Sequence, residues 1–142
     1  MASTATFTFT RSPLRFAIHR LAPATSIPGS IASLPFVTIS RTRDELSLLV
    51  PTTVPLADHF PAASLGELKT EQTYAAFKIS AVLDFALVGI LAGVSNLLAK
   101  VGVSIFVVST FDTDYVLVKE ENVEKAVKAL EEVGHKVVEG EI

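Results

Sequence analysis

The apolar run at residues 85–109 constrains the fold more than any other stretch of the chain, because its periodicity changes in the middle. Its length invites a membrane reading, but a spanning helix needs ~20 mostly apolar residues without a break. Here Ser95, Asn96, Lys100 and the glycines Gly89, Gly93 and Gly102 interrupt it. From Gly89 onward the apolar positions are Ile90, Leu91, Val94, Leu97, Leu98 and Val101, a spacing that traces one face of a helix. Gly102 is placed to stop that helix in a left-handed conformation. Residues 104–109, with Ile105, Phe106, Val107 and Val108 in sequence, then read as a buried strand. A buried helix followed at once by a buried strand belongs to a layered α+β core.

The flanks extend the pattern. Residues 73–82 form a strand candidate (Tyr74, Ala76 or Phe77, Ile79, Val82) that ends at Asp84. Asp112 and Thr113 make the turn after the buried strand, and residues 115–118 form the next one. Asn122 is predicted to cap a helix whose core face is Val123, Ala126, Val127, Leu130 and Val133, with Glu121–Lys125 and Glu124–Lys128 pairs on its wet side. Gly134 ends that helix, and residues 136–138 give a last short strand. The order β-α-β-β-α-β predicts an α+β, ferredoxin-like module with two helices on one face of an antiparallel sheet.

The first half reads as a reduced version of the same module. Thr6, Thr8 and Thr10 alternate with Phe7 and Phe9, and Phe16, Ala17 and Ile18 follow Pro13, which predicts a strand, a proline turn and a second strand. Residues 23–35 form a loop with room for one helical turn, and 36–41 and 46–50 form a hairpin turning at Arg43-Asp44. Pro51, Pro55, Pro61 and Gly66 disfavour helix over 51–70, leaving a linker or a covering loop. The predicted division is a reduced module at 1–57, a linker at 58–72 and a full module at 73–142. The first 43 residues lack Asp and Glu, are rich in Ser and Thr and carry all five arginines, as in a mitochondrial presequence. The period-two alternation within them favours structure instead, and a cytoplasmic location is expected.

Composition narrows the chemistry. The chain is 49% hydrophobic and 19% charged, enough apolar material for a packed core. It has no cysteine, which excludes disulfides, thiolate metal sites and a cysteine nucleophile. His19, His59 and His135 are isolated, none with a second ligand at metal-site spacing. The arginines Arg11, Arg15, Arg20, Arg41 and Arg43 are too scattered for a nucleic-acid patch and read as solvated charge. Phe77 and Tyr115 lie on candidate strands, as the aromatics of an RNA-binding sheet do, but their half of the chain carries eleven carboxylates and six lysines. A phosphate-handling enzyme on this scaffold needs a basic residue in the turn at 84–89, which has only Asp84 among its charged groups. No nucleophilic triad, P-loop or metal cluster stands elsewhere, and no cofactor is expected.

Residues 104–118, above all the string Ser109, Thr110, Phe111, Asp112, Thr113, Asp114 and Tyr115, resemble the second module of small two-module ACT-domain proteins. These are related to the CASTOR-type cytosolic arginine sensors and to the ACT regulatory domains of aspartate kinase. Residues 36–47 resemble the hairpin of the first module, and the likeness extends over roughly 14–138. The resemblance implies a full ACT module packed with a reduced one, and amino-acid sensing at an interface between ACT modules without catalysis. The implied partners are the amino acid and a second copy or a regulatory partner protein, with neither nucleic acid nor membrane involved.

A free amino acid needs donors for its carboxylate, acceptors for its ammonium and a compartment for its side chain. The turn containing Asp84, Phe85, Leu87, Val88, Gly89 and Ile90 offers backbone N–H groups at a helix N-terminus, and by resemblance this turn touches the ligand. Gly89 either lets the backbone approach a ligand or permits close helix–sheet packing. Asp112 and Asp114 are candidate ammonium acceptors, with a turn-forming role the stronger alternative for Asp112. Asp84 is either an acceptor or a helix-entry cap. Ser104 and Ile105 begin a strand expected to pair with a neighbouring module, and Thr110 completes the set. The arginine sensors carry acidic residues where this chain has Ala86, Leu87 and Val88, so a small or apolar amino acid is the expected guest rather than arginine.

Overall fold

The computed structural model describes residues 6–80 and 89–142. Its elements are β1 (Thr8–Leu21), α1 (Gly29–Ala32), β2 (Thr38–Arg41), β3 (Leu46–Pro51), β4 (Lys69–Ser80), α2 (Ile90–Lys100), β5 (Ile105–Ser109), β6 (Asp114–Lys119), α3 (Val123–Glu132) and β7 (Lys136–Glu139). Single turns of 3-10 helix stand at Leu56–Asp58, Ala62–Leu65 and Glu120–Asn122. Two compact units result, one of Leu14–Thr73 and one of Met1–Pro13 with Tyr74–Ile142. The unit boundaries fall inside β1 and β4, not in the expected linker at 58–72.

In the unit containing Tyr74–Ile142 the strand order is β7-β1-β4-β6-β5. β4 and β6 are antiparallel, with Phe77 opposite Val116 and Lys78 opposite Tyr115. β5 and β6 form the next antiparallel pair, with Ile105 opposite Val118. The β-α-β-β-α-β order from β4 to β7 is as the sequence predicts. The module is nevertheless not contiguous. β7 runs parallel to the start of β1, pairing Thr8 with Lys136 and Arg11 with Glu139, so residues expected in the first module complete the sheet of the second.

The helices cover this sheet with the predicted stripes. α2 buries Ile90, Val94 and Leu98, and α3 buries Val123, Ala126, Ala129 and Leu130, all against Phe9, Phe77, Val116 and Val118. Burying one such leucine is worth roughly 1.5–3 kcal/mol. Val127 is only half-buried, and Val133 is 52% exposed because it caps the helix instead of continuing it. Both helices end in the same reciprocal motif. Gly102 N donates to Ala99 O (3.0 Å) and Val103 N to Leu98 O (2.9 Å). Gly134 N donates to Glu131 O (3.0 Å) and His135 N to Leu130 O (3.1 Å). Each glycine sits at positive φ, +76° and +95°. The Asn122 side chain, expected to cap α3, makes no such bond. A 3-10 turn leads into the helix, and Val123 N–H finds its acceptor on Glu120 O.

The unit Leu14–Thr73 carries the order β2-β3-β1-β4. β3 pairs antiparallel with β1 from Phe16–Pro51 to Leu21–Leu46, and with β2 from Thr38–Leu49 to Arg41–Leu46. The proline turn expected at Pro13 is absent, and β1 runs straight through it. On the relevant side β7 pairs only as far as Arg11 and β3 begins at Phe16, so no ladder bond needs the N–H that Pro13 lacks. The segment expected as a linker contributes core: Leu56 and Phe60 pack with Leu21, Ile31, Leu46, Leu48 and Val50. Pro55 and Pro61 stand at the entry of its 3-10 turns, where a missing N–H costs nothing. The hairpin turn is held by Thr42, whose hydroxyl accepts from Asp44 N (3.1 Å) and Glu45 N (3.2 Å). Two arginines are structural, not merely solvated. Arg41 donates to Pro23 O and to Thr25 O (2.8 Å), and Arg20 donates to Asp44 O (3.1 Å).

Candidate functional site

Asp84, Phe85, Leu87 and Val88, with Ala86 and the expected end of the strand at Val82, lie outside the described residues. β4 leads to Ser80, and α2 begins after Gly89, which has φ +90° and ψ −1°. Among the described residues a Cβ at Gly89 would meet nothing within 4 Å, so what calls for glycine here is the left-handed backbone and not a close approach to any of them. Gly89 O accepts from Gly93 N (2.8 Å), closing the first turn, while the N–H groups of that turn have no intrahelical acceptor. Ile90 is buried in the core and serves packing.

The β5–β6 turn is built by threonines. Thr110 N and Thr110 Oγ1 both donate to Thr113 O (2.8 and 3.0 Å), and Thr113 N donates back to Thr110 Oγ1 (3.3 Å). Thr113 Oγ1 donates to Ile79 O (2.7 Å), fastening the turn to the end of β4. The turn-forming role weighed for Asp112 therefore belongs to Thr110, and Asp112 is left exposed beside Phe111, itself fully exposed at the tip.

Between this turn and the end of β4 opens a cleft of about 430 Å³ lined by Lys78, Ser80, Thr110, Asp112, Thr113 and Tyr115, with Ile79 at its base. It brings together Thr110 and Asp112 of the predicted set. Asp114 begins β6 and is half-buried outside the lining. Ser104 and Ile105 stand at the opposite end of β5 from the turn, on the strand that ends the sheet order. Sequence reasoning missed Lys78, Ser80 and Tyr115. The available signal is the alternation of β4: Phe77 and Ile79 are buried, which turns Lys78 and Ser80 to the other face. Register then sets Tyr115 opposite Lys78. The cleft thus holds a cation, a carboxylate and hydroxyls around one space.

Elsewhere His19 is buried and His135 half-buried, and burial pushes the pKa of each below its ordinary value. His135 Nδ1 accepts from Phe7 N (3.0 Å), which fixes the neutral ring with its proton on Nε2, and the ring stacks on Phe7. His19 Nδ1 shares a hydrogen with Thr70 Oγ1 (2.8 Å). Among the described residues no cluster of His, Asp or Glu could hold a metal ion, and no helix is long and apolar enough to cross a membrane. Phe77 is buried, so it offers no stacking platform for a base.

Residues 69–132 match the model of the ACT domain. Among solved structures, the chain is similar to a protein of Agobacterium tumefaciens, with 30% identity, 97% of this chain and 96% of that chain covered, and a TM-score of 0.79. It also resembles the regulatory subunit of aspartate kinase from Thermus flavus (15% identity, 88% of this chain and 95% of that chain, TM-score 0.61). The aspartate kinase of Clostridium acetobutylicum is similar at 14% identity over 94% of this chain and 36% of that one, TM-score 0.65. At these lower identities the likeness is one of fold. No curated protein matches the sequence.

Proposed function

Because the chain belongs to the ACT-domain proteins, we propose that it is a non-catalytic regulatory or sensor protein that binds a free amino acid at an interface between ACT modules. The observation that carries this reading is the cleft between β4 and the β5–β6 turn, whose lining belongs entirely to the unit containing Tyr74–Ile142, so the module completing the interface would be that of a second copy. A zwitterion presents a carboxylate and an ammonium a few ångströms apart, and the cleft is lined by Lys78 for the first and Asp112 for the second. Ser80, Thr110 and Tyr115 supply further hydrogen-bonding groups. With no acidic residue among Ala86, Leu87 and Val88, the guest is a small or apolar amino acid, not arginine.

The test is a thermal-shift screen of the purified protein against the twenty amino acids. A ligand at ~100 times its dissociation constant stabilises the native state by roughly 2.7 kcal/mol. Asp112→Asn and Lys78→Met should each weaken the effective amino acid at least tenfold without lowering the unliganded melting temperature. Absence of any shift at millimolar concentrations sinks the sensor reading, and arginine as the sole hit refutes the assignment of guest. One observation supports a second reading, an ACT-type module that acts by dimerisation or partner contact with no ligand. β5 ends its sheet order, and Phe111 beyond it is fully exposed. Self-association that persists unchanged with every amino acid would favour that reading.

A further inference from the structure

The unit Leu14–Thr73 covers its sheet with much less helix than its counterpart. In place of helices of eleven and ten residues it has one of four residues and two 3-10 turns. Short turns cannot tile the face of a sheet that long, and a crevice of about 270 Å³ remains beside the turns. Its floor is Ala17, His19 and Leu56, which are buried, and its walls are the half-buried Val54, Leu65 and Leu68. It is separate from the cleft at the β5–β6 turn, since none of its lining residues belongs to that unit.

The lining contains no Asp, Glu, Lys or Arg. Thr52 and Gln72 stand exposed at its rim, and the deeper lining is apolar apart from His19, so a charged guest seated against the floor would give up part of its hydration and gain no ion pair. That favours an uncharged guest over a zwitterion and distinguishes this crevice from the cleft at the β5–β6 turn, which is lined by Lys78 and Asp112. The one buried polar side chain is His19, 8% exposed, whose Nδ1 is committed to Thr70. Its Nε2 has no partner among the described residues and is not sealed off, since Arg11 Nε is the sole buried unpartnered side-chain atom there. Thr70 can donate to Nδ1 or accept from it, so Nε2 either carries a proton or lacks one. A ligand hydroxyl satisfies both states because it donates and accepts equally well. For scale, a dry cavity of about 150 Å³ takes benzene, so this crevice suits a molecule of roughly six to ten heavy atoms.

We propose that this crevice binds a small, uncharged, mainly aliphatic molecule bearing a single hydroxyl, with its carbon skeleton against Leu56, Leu65 and Leu68 and its oxygen on His19. The experiment titrates cyclohexanol into the full chain labelled at its leucine and valine methyls. The expected result is saturable shifts at Val54, Leu56, Leu65 and Leu68 in the millimolar range, with the methyls of α2 and β5 unmoved. Cyclohexanecarboxylate and cyclohexylammonium should bind at least tenfold more weakly, and leucine should not displace the alcohol. Ala57→Leu, at an exposed rim position, should abolish the shifts while leaving the remaining spectrum intact. Absence of saturable shifts in the wild type overturns the proposal, whatever the fate of the variant. Equal binding of either charged analogue overturns it as well.

Discussion

Replacing Gly102 by alanine should destabilise the protein by about 1–2 kcal/mol, the cost of holding a residue with a Cβ in the left-handed region. The structure isolates that term. Gly102 has φ +76°, and a Cβ built there meets nothing within 4 Å, so no steric clash adds to the backbone penalty. Gly134, with φ +95°, closes α3 by the same motif, but its added Cβ would stand 3.0 Å from Thr6 Cγ2. Thr6 is exposed and can turn aside, so Gly134→Ala should exceed Gly102→Ala by no more than about 0.5 kcal/mol, the scale of a modest rotamer adjustment. Thr6→Ser, which deletes the methyl, should remove that excess. Asparagine tolerates the left-handed region, and Gly102→Asn should recover more than half of the loss. Valine should be worse than alanine, because branching at Cβ restricts the backbone further. Scanning calorimetry and urea unfolding measure the series; for a chain of this size the alanine variants should melt roughly 3–8 °C lower. Gly102→Ala as stable as the wild type would refute the backbone argument. So would a ranking in which asparagine gained nothing over alanine.

Other outcomes follow from the same geometry. Thr110→Val keeps the shape of the side chain but breaks the hydroxyl bonds that hold the β5–β6 turn. It should cost about 1 kcal/mol and weaken any ligand bound in the cleft, as read by melting with and without the effective amino acid. Leu98, 1% exposed in the core, should cost about 2–5 kcal/mol on replacement by alanine, measured by denaturant midpoint. Phe111→Ser should leave unfolding within ~0.5 kcal/mol, because the ring makes no buried contact, while lowering self-association in sedimentation if that tip is an interface. For pH, burial holds His19 and His135 neutral in the folded chain, with pKa values below the ordinary ~6.5. The unfolded chain therefore takes up protons first as pH falls. These groups leave stability undiminished above about pH 6.5 and lower it as pH drops from there towards the folded values. Melting temperatures between pH 8 and 5 should fall on the acid side, and less so in His135→Asn.

The elements that declared themselves in the sequence are those whose information is local. The stripe of Ile90, Val94 and Leu98 and the stops at Gly102 and Gly134 depend on neighbours within a turn or two. Alternation likewise marked the start of β1, and an unbroken apolar run marked β5. The pairing of Thr8–Arg11 with Lys136–Glu139 was not legible, because period-two alternation looks alike in every register and beside every partner. Proline misled twice for a related reason. Its missing N–H signals a break only where a partner would have needed it, and Pro13 sits in a gap between partners. At Pro55 and Pro61 the same residue type opens a turn whose Leu56 and Phe60 then reach the core. In the cleft, Asp112 was visible as a turn carboxylate. Lys78 and Ser80 were hidden because they lie on another strand and reach the turn only through the β4–β6 pairing.

The parallel pairing of β1 with β7 also sets a timetable for synthesis. Phe7 N must wait for His135, 128 positions later. At ribosomal speeds of ~5–20 residues per second, that interval is on the order of ten seconds. Throughout it, the first strand emerges with its alternating threonines and phenylalanines and no lifelong neighbour on one side, while every strand of the intervening unit is already made. Until residues 136–139 are made, the edge of residues 8–11 that they will cover has no strand of this chain to pair with, and its backbone N–H and C=O groups on that side stay open to water.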